Sequence, residues 1–233
     1  DRPEHGRLLP RSPFLTHLAW AECNWLQNIR ERDLRFRVDG EGLHRSLGVW
    51  LKTGSMARFS ECRLLYSWTF PAGLYVDVDS VNGSLEGHSF HSEMYFDVEA
   101  PVQDSKEVEV AVLRKKPILK EFIIKDHFRL PIHVRYHPCG SAGVVTLPAP
   151  RVLLDCPADF LSSSLKDCPT QSRLGRRLPQ PLSPAWVTLP VGASSQKITI
   201  PTGTKEHALP VTAVTFIVVA FSIFHVGKEL MKC

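Results

Sequence analysis

Residues 34–38 have the sequence Leu-Arg-Phe-Arg-Val (LRFRV), in which apolar and basic residues alternate strictly. Successive side chains of a β-strand point to opposite faces of a sheet, so this pattern predicts a strand with one buried and one solvated face. A two-residue alternation also occurs at residues 74–79 and 108–112, where the charged residues are acidic. Shorter strand candidates lie at 94–98, 118–124, 132–136, 144–147 and 152–154, and a last strand is expected within 186–200. This pattern favours a mainly β, sandwich-like domain of short antiparallel strands.

An apolar run at residues 209–226 contains no Asp, Glu, Lys or Arg. A helix of this length, rising about 1.5 Å per residue, spans about 27 Å, which is close to the hydrocarbon thickness of a bilayer. The run is therefore predicted to be a single transmembrane helix. Residues 1–208 would form one large domain, with a Pro- and Arg-rich loop at 172–185 and a juxtamembrane linker at 201–208. Residues 227–233 would be a short tail.

Three hydroxyl-bearing residues of that run, Thr212, Thr215 and Ser222, fall on one stripe of a helix. Small and hydroxylated residues on one face can pack against another membrane helix. The stripe is therefore a candidate contact surface for a membrane partner. The alternative is a chance arrangement.

Charge and cysteine usage bear on the compartment. The net charge is +4, and the Lys and Arg residues do not gather in a basic run, so nucleic-acid binding is not expected. Asn82 begins an Asn-Gly-Ser glycosylation sequon, and five cysteines precede the apolar run without forming a CxxC pair. Both features favour a luminal or extracellular domain with a type I orientation and a cytoplasmic tail. Cys156 and Cys168 are the simplest local candidates for a disulfide.

Two short motifs invite a catalytic or metal-binding interpretation. Asp77-Val78-Asp79 is a DxD, which holds a divalent cation in many sugar-nucleotide glycosyltransferases, and it leaves open an enzyme in its own right. His133 and His137 are spaced as a zinc pair on a helix, but on a strand they would be roughly 13 Å apart. Nucleophile-elbow, Walker and dinucleotide-binding motifs are absent from the sequence. We expect no catalytic residue, metal or cofactor in this chain.

Five sequence blocks stand in a characteristic order within roughly residues 40 to 226. The first are Cys62-Arg63-Leu64-Leu65 and Phe70-Pro71-Ala72-Gly73-Leu74-Tyr75-Val76-Asp77. The later ones are Phe96-Asp97-Val98-Glu99-Ala100-Pro101, Leu130-Pro131-Ile132-His133-Val134-Arg135-Tyr136-His137 and Leu189-Pro190-Val191-Gly192. In these blocks and their order the chain resembles the PIG-X family, the accessory subunit of glycosylphosphatidylinositol (GPI) mannosyltransferase I.

The resemblance implies an endoplasmic reticulum membrane protein with a luminal domain and one C-terminal helix. It implies a multi-spanning catalytic partner, PIG-M, which adds the first mannose of the anchor precursor from dolichol-phosphate-mannose. Catalysis would reside in that partner, so this chain would be a non-catalytic stabilising subunit. Candidate contact residues for the partner are Pro71, Gly73, Tyr75, His133, Arg135 and His137, together with the helix stripe. The alternative is a type I, receptor-like ectodomain at the cell surface.

Overall fold

The computed structural model describes residues 29–76, 78, 80–81, 85–92, 97–119, 121–140, 143–156 and 186–231. The strands in these ranges are β1 (Ile29–Asp39), β2 (His44–Phe59), β3 (Arg63–Phe70), β4 (Leu74–Tyr75), β5 (His88–Ser92), β6 (Val108–Arg114), β7 (Glu121–Val134), β8 (Gly143–Leu147), β9 (Arg151–Asp155), β10 (Val187–Thr188) and β11 (Gln196–Ile200). Short 3₁₀ turns span Val102–Asp104 and Lys205–His207, and a long C-terminal helix spans Ala208–Leu230.

The strands form two main sheets that enclose one apolar core. The first sheet has the order β1-β2-β7-β4 and the second has the order β10-β9-β3-β6-β5, while β11 and β8 form a separate pair. All pairings between these strands are antiparallel. Phe128 of the first sheet contacts Tyr66 and Trp68 of the second, with ring centroids 4.9 and 6.2 Å apart. The prediction of a mainly β, sandwich-like domain is confirmed.

The alternation that defined residues 34–38 is realised in β1. Leu34 and Phe36 are buried in the core, whereas Arg35 and Arg37 face outward. The neighbouring strand continues the inner face, since Val49 lies opposite Phe36 in the register. Complete burial of such side chains contributes about 1.5–3 kcal/mol each.

Among the described residues, the strand predicted at 74–79 forms only in part. Leu74 and Tyr75 pair as β4, whereas Val78, Ser80 and Val81 are helical. Val76 and Val81 are both buried, while Val78 between them is 39% exposed. The core takes these apolar side chains from a turn, so alternation in the sequence did not require an extended backbone. The candidate at 94–98 is also not a strand at Asp97 and Val98.

The sequence did not mark β2, β3 or β5 as strands. β3 is buried on both faces because a second apolar cluster covers its outer side. That cluster contains Leu65, Ala111, Leu153 and Trp186. A strand buried on both faces has a continuous apolar run instead of an alternating one, which is why periodicity missed it.

The disulfide joins Cys62 to Cys156, not Cys156 to Cys168 as the sequence suggested. β3 and β9 pair antiparallel with Arg63 opposite Asp155, so the residues flanking this pair become neighbours. Their Cα atoms are 4.1 Å apart although 94 residues separate them in sequence. Proximity along the chain was therefore the wrong guide. Cys168 lies outside the described residues.

Candidate partner-contact site

The pairing of β4 with β7 brings together the two segments that the sequence proposed as contact regions. Tyr75 lies directly opposite His133, and the backbone N–H of Arg135 donates to the Gly73 carbonyl at 2.9 Å. The turn that begins at Pro71 closes through a 2.9 Å bond from the N–H of Leu74. These segments are far apart in sequence and form one edge of the first sheet.

The edge has room for glycine at position 73 but not for a residue with a side chain. A Cβ atom at this position would lie 2.5 Å from Cγ2 of Val145. Real Cβ atoms do not approach a neighbour so closely, so a side chain here would push β8 away from the turn. Gly73 is thus buried and has a packing role, not a surface role.

Aromatic rings and one cation stack at this edge. The His133 ring lies on the Tyr75 ring with centroids 5.0 Å apart, and His44 of β2 approaches His133 edge-on at 4.5 Å. The Arg135 guanidinium lies over the Tyr75 ring, 4.7 Å from its centroid. A cation over an aromatic face contributes about 0.5–2 kcal/mol, more as water is excluded. Tyr75 therefore connects the two segments through its ring.

Arg135 is only 4% exposed, so it does not offer a free surface for a partner. Its Nη1 donates to the carbonyl oxygens of Asp97 and Ala100 at 2.7 and 2.8 Å. Burial lowers the pKa of this guanidinium below its ordinary value, while Tyr75 and Asp97 act in the opposite direction. Through these hydrogen bonds Arg135 holds the 97–100 loop against the end of β7.

The exposed residue at this edge is Tyr136, which sequence reasoning did not select. Its side chain is 69% exposed, and its carbonyl accepts a 3.1 Å bond from the N–H of Val102. His137 follows, half-buried, with Nδ1 2.9 Å from the Arg135 carbonyl oxygen. Tyr136 follows the end of β7 at Val134. An aromatic residue directly after an alternating strand was therefore the sequence feature that could have identified it as a contact residue.

This edge lies close to the start of the C-terminal helix. The N–H of Gly140 donates to the carbonyl of Gly203 at 2.8 Å, and the Lys205 side chain lies beside Gly140. The helix begins at Ala208. We define the site by its exposed and half-exposed members at this end of the sandwich: Tyr75, His133, Tyr136 and His137.

The C-terminal helix is long and apolar enough to cross a membrane. It extends from Ala208 to Leu230, so it contains the whole predicted span and continues into the predicted tail. The hydroxyls of Thr212, Thr215 and Ser222 each donate to the carbonyl four residues earlier at 2.8 Å. Their polar groups are satisfied within the helix, and all three side chains are exposed along its surface.

Several sequence candidates lie outside the described residues. These are Asp77 and Asp79 of the DxD, the sequon residue Asn82, and the loop at 172–185. Within the described ranges, no three His, Cys, Asp or Glu side chains gather as a metal-binding group. The zinc spacing of His133 and His137 therefore meets no third ligand in that part of the chain.

Comparison with known proteins gives consistent matches. The model of the family described as PIG-X / PBN1 matches residues 40–231. A human protein named "GPI alpha-1,4-mannosyltransferase I, stabilizing subunit" is 35% identical over 135 residues, which are 54% of this chain and 51% of that protein. The rat and mouse proteins of the same name are each 30% identical over 129 residues, covering 52% of this chain and 50% and 49% of their own lengths. The chain thus spans about half the length of the curated relatives it matches.

Proposed function

The chain belongs to the PIG-X / PBN1 family, and on this premise we propose that it is a non-catalytic stabilising subunit of a GPI mannosyltransferase I. The observation that carries the proposal is the family match over residues 40–231, combined with relatives that are named as stabilising subunits. A β-sandwich followed by a C-terminal helix that is able to cross a membrane suits a subunit that supports a membrane enzyme.

The proposed partner is PIG-M, the subunit that adds the first mannose to the anchor precursor. The chain would lie in the endoplasmic reticulum membrane with its sandwich in the lumen, its helix across the bilayer and its tail in the cytoplasm. Gly140, near the site, bonds to Gly203 just before the helix, so a partner at the bilayer would reach the sandwich and the helix together.

The site supports this proposal through its composition. Tyr75, His133, Tyr136 and His137 present aromatic and amphipathic side chains next to the helix start. Tyrosines are enriched in protein interfaces because they bury a large apolar ring while keeping a polar group. Arg135 and Gly73 would act indirectly, by holding the loop and the turn that shape this surface.

Depletion of the chain followed by rescue tests the proposal. We expect depletion to lower the abundance of PIG-M and the first mannosylation of the anchor precursor, and the intact chain to restore both. Tyr136→Ala should rescue poorly, whereas the exposed Glu109→Ala on the second sheet should rescue fully. Normal partner abundance and mannosylation after depletion would overturn the assignment.

The same cells distinguish the alternative of a cell-surface receptor-like ectodomain. A subunit retained in the endoplasmic reticulum keeps glycans that endoglycosidase H removes. A glycan on this chain that resists the enzyme, together with surface labelling, would favour the receptor.

A further inference from the structure

The outward face of the first sheet carries a groove of about 740 Å³ that the partner-contact site does not use. The cross-strand register of β1, β2 and β7 places the outward-facing residues in and beside this groove in three rows, and Gly48 and Arg129 of the third row lie next to the lining residue Arg37. The rows are Asp33–Lys52–Lys125, Arg35–Trp50–His127 and Arg37–Gly48–Arg129. An aromatic ring therefore lies at the centre of a predominantly basic surface.

The Trp50 indole lies over the sheet, above the position of Gly48. A Cβ atom on Gly48 would be 2.4 Å from Cη2 and 2.9 Å from Cζ3 of this ring. Only a glycine leaves room for the ring to lie against the backbone. Trp50 is 38% exposed, so it offers an aromatic surface to solvent at the centre of the groove.

The basic side chains around Trp50 exceed the acidic ones. Arg35 pairs with Asp33 at 2.9 Å and Lys52 pairs with Glu31 at 2.9 Å, both as exposed pairs. Arg37 pairs in the same way with Asp39 at 2.6 Å. Exposed pairs contribute about 0–1 kcal/mol, so an incoming anion competes with them at little cost.

Two further cations have no such pairing. In the part of the chain that the structure describes, no carboxylate lies within ion-pair distance of Lys125 or Arg129. Asp126 lies between them on β7, but its carboxylate points inward and bonds to Tyr66 and His88. At these two positions the outward face of β7 therefore adds positive charge to the surface.

We propose that this groove binds a polyol ring that carries a phosphate. The C–H face of such a ring packs on an aromatic surface, and Arg and Lys side chains pair with phosphate oxygens. Three strands and three rows span roughly 10 by 14 Å, which suits one sugar phosphate. A stable protein–protein interface buries about 800 Å² on each partner, several times this area. The proposal goes beyond the stabilising role, because the chain itself would contact a phosphorylated sugar.

Binding to the purified full chain in detergent tests the proposal. The probes are mannose 1-phosphate, mannose and inorganic phosphate, followed by calorimetry and by tryptophan fluorescence. We expect mannose 1-phosphate to bind more tightly than either fragment. Trp50→Ala and the double variant Lys125→Gln/Arg129→Gln should each weaken binding at least tenfold, while Lys106→Gln, at an exposed lysine outside the groove, should not. Inorganic phosphate binding as tightly as the sugar phosphate, or unchanged binding to Trp50→Ala, would overturn it.

Vesicles distinguish a lipid headgroup from a free sugar phosphate, since phosphatidylinositol also presents a polyol ring with a phosphate. Binding to phosphatidylinositol vesicles but not to phosphatidylcholine vesicles, lost in Trp50→Ala, would assign the lipid as the source. Binding of mannose 1-phosphate alone would assign the free form, and binding of neither would refute the proposal. Partner abundance in the rescued cells is a separate readout, so failure here leaves the stabilising role to its own test.

Discussion

At the residue scale, Asp126 is the polar centre of the sandwich. This β7 carboxylate accepts a 2.8 Å bond from the Tyr66 hydroxyl and lies 3.0 Å from Nε2 of His88, both on the second sheet. Arg114 approaches its other oxygen at 3.8 Å. His88 Nδ1 also lies 3.0 Å from the Glu86 carbonyl oxygen, so both ring nitrogens have a hydrogen-bonding partner. The group fixes one sheet against the other.

Tyr66 makes the stability of the fold depend on pH in the alkaline range. Burial, and then the charge of Asp126 and its hydrogen bond, raise the pKa of the Tyr66 hydroxyl well above its ordinary value of about 10. The folded state therefore keeps a proton that the unfolded state loses above about pH 10, and the free energy of unfolding falls as pH rises from there. For Tyr66→Phe, the free energy of unfolding measured by denaturant titration should fall less steeply between pH 9 and 11 than it does for the parent chain.

The control for Tyr66→Phe is Tyr136→Phe, which removes a hydroxyl from an exposed tyrosine. It should keep the slope of the parent chain, because this hydroxyl is in contact with water in both the folded and the unfolded state. Equal slopes for the parent and Tyr66→Phe would contradict the prediction.

At the element scale, the disulfide joins the beginning of β3 to the end of β9. Cys62 and Cys156 close a loop of 94 residues, so their bond restricts the unfolded chain strongly. Cys62→Ala/Cys156→Ala should lose about 3–5 kcal/mol of unfolding free energy, measured with urea without reductant. Cys139→Ala, at an exposed free thiol, should change it by less than about 0.5 kcal/mol. Equal stability of the double variant and the parent would show that the bond is not formed.

The C-terminal helix should tolerate leucine on its hydroxyl stripe. The hydroxyls of Thr212, Thr215 and Ser222 donate to the backbone of their own helix, so replacing all three by Leu should leave the helical signal in circular dichroism unchanged. If the stripe contacts a membrane helix of the partner, the triple variant should co-purify less partner. Val214→Leu/Ile217→Leu/Phe221→Leu, on the opposite face, is the matched control. Equal recovery of the partner with both variants would dismiss the stripe.

At the scale of the whole molecule, the orientation across the membrane leads to a glycosylation prediction. A luminal sandwich exposes the Asn82 sequon to the glycosylation machinery, whereas a cytoplasmic one does not. Asn82→Gln should migrate on a gel like the parent chain after endoglycosidase H treatment. Asn28→Gln, which alters no sequon, should migrate like the untreated parent. A parent chain that never shifts would argue against glycosylation at Asn82.

The sequence by itself determined the fold class, the helix and the family. Alternation in residues 34–38 and 108–112 predicted strands that the structure contains, and the uncharged run at 209–226 predicted the helix. These features are local, because a two-residue period and an apolar length can be seen without knowing any neighbour. The blocks that resemble the PIG-X family also stand in the sequence alone.

Only the tertiary structure decided which distant residues meet. It paired Cys62 with Cys156, made Val78 helical instead of extended, buried Arg135 under a loop and placed the Trp50 ring over Gly48. Each outcome depends on strand order and register, which bring residues tens of positions apart to one point. The physical reason is that burial and pairing are properties of the assembled sheets, and a linear pattern does not specify which strands become neighbours.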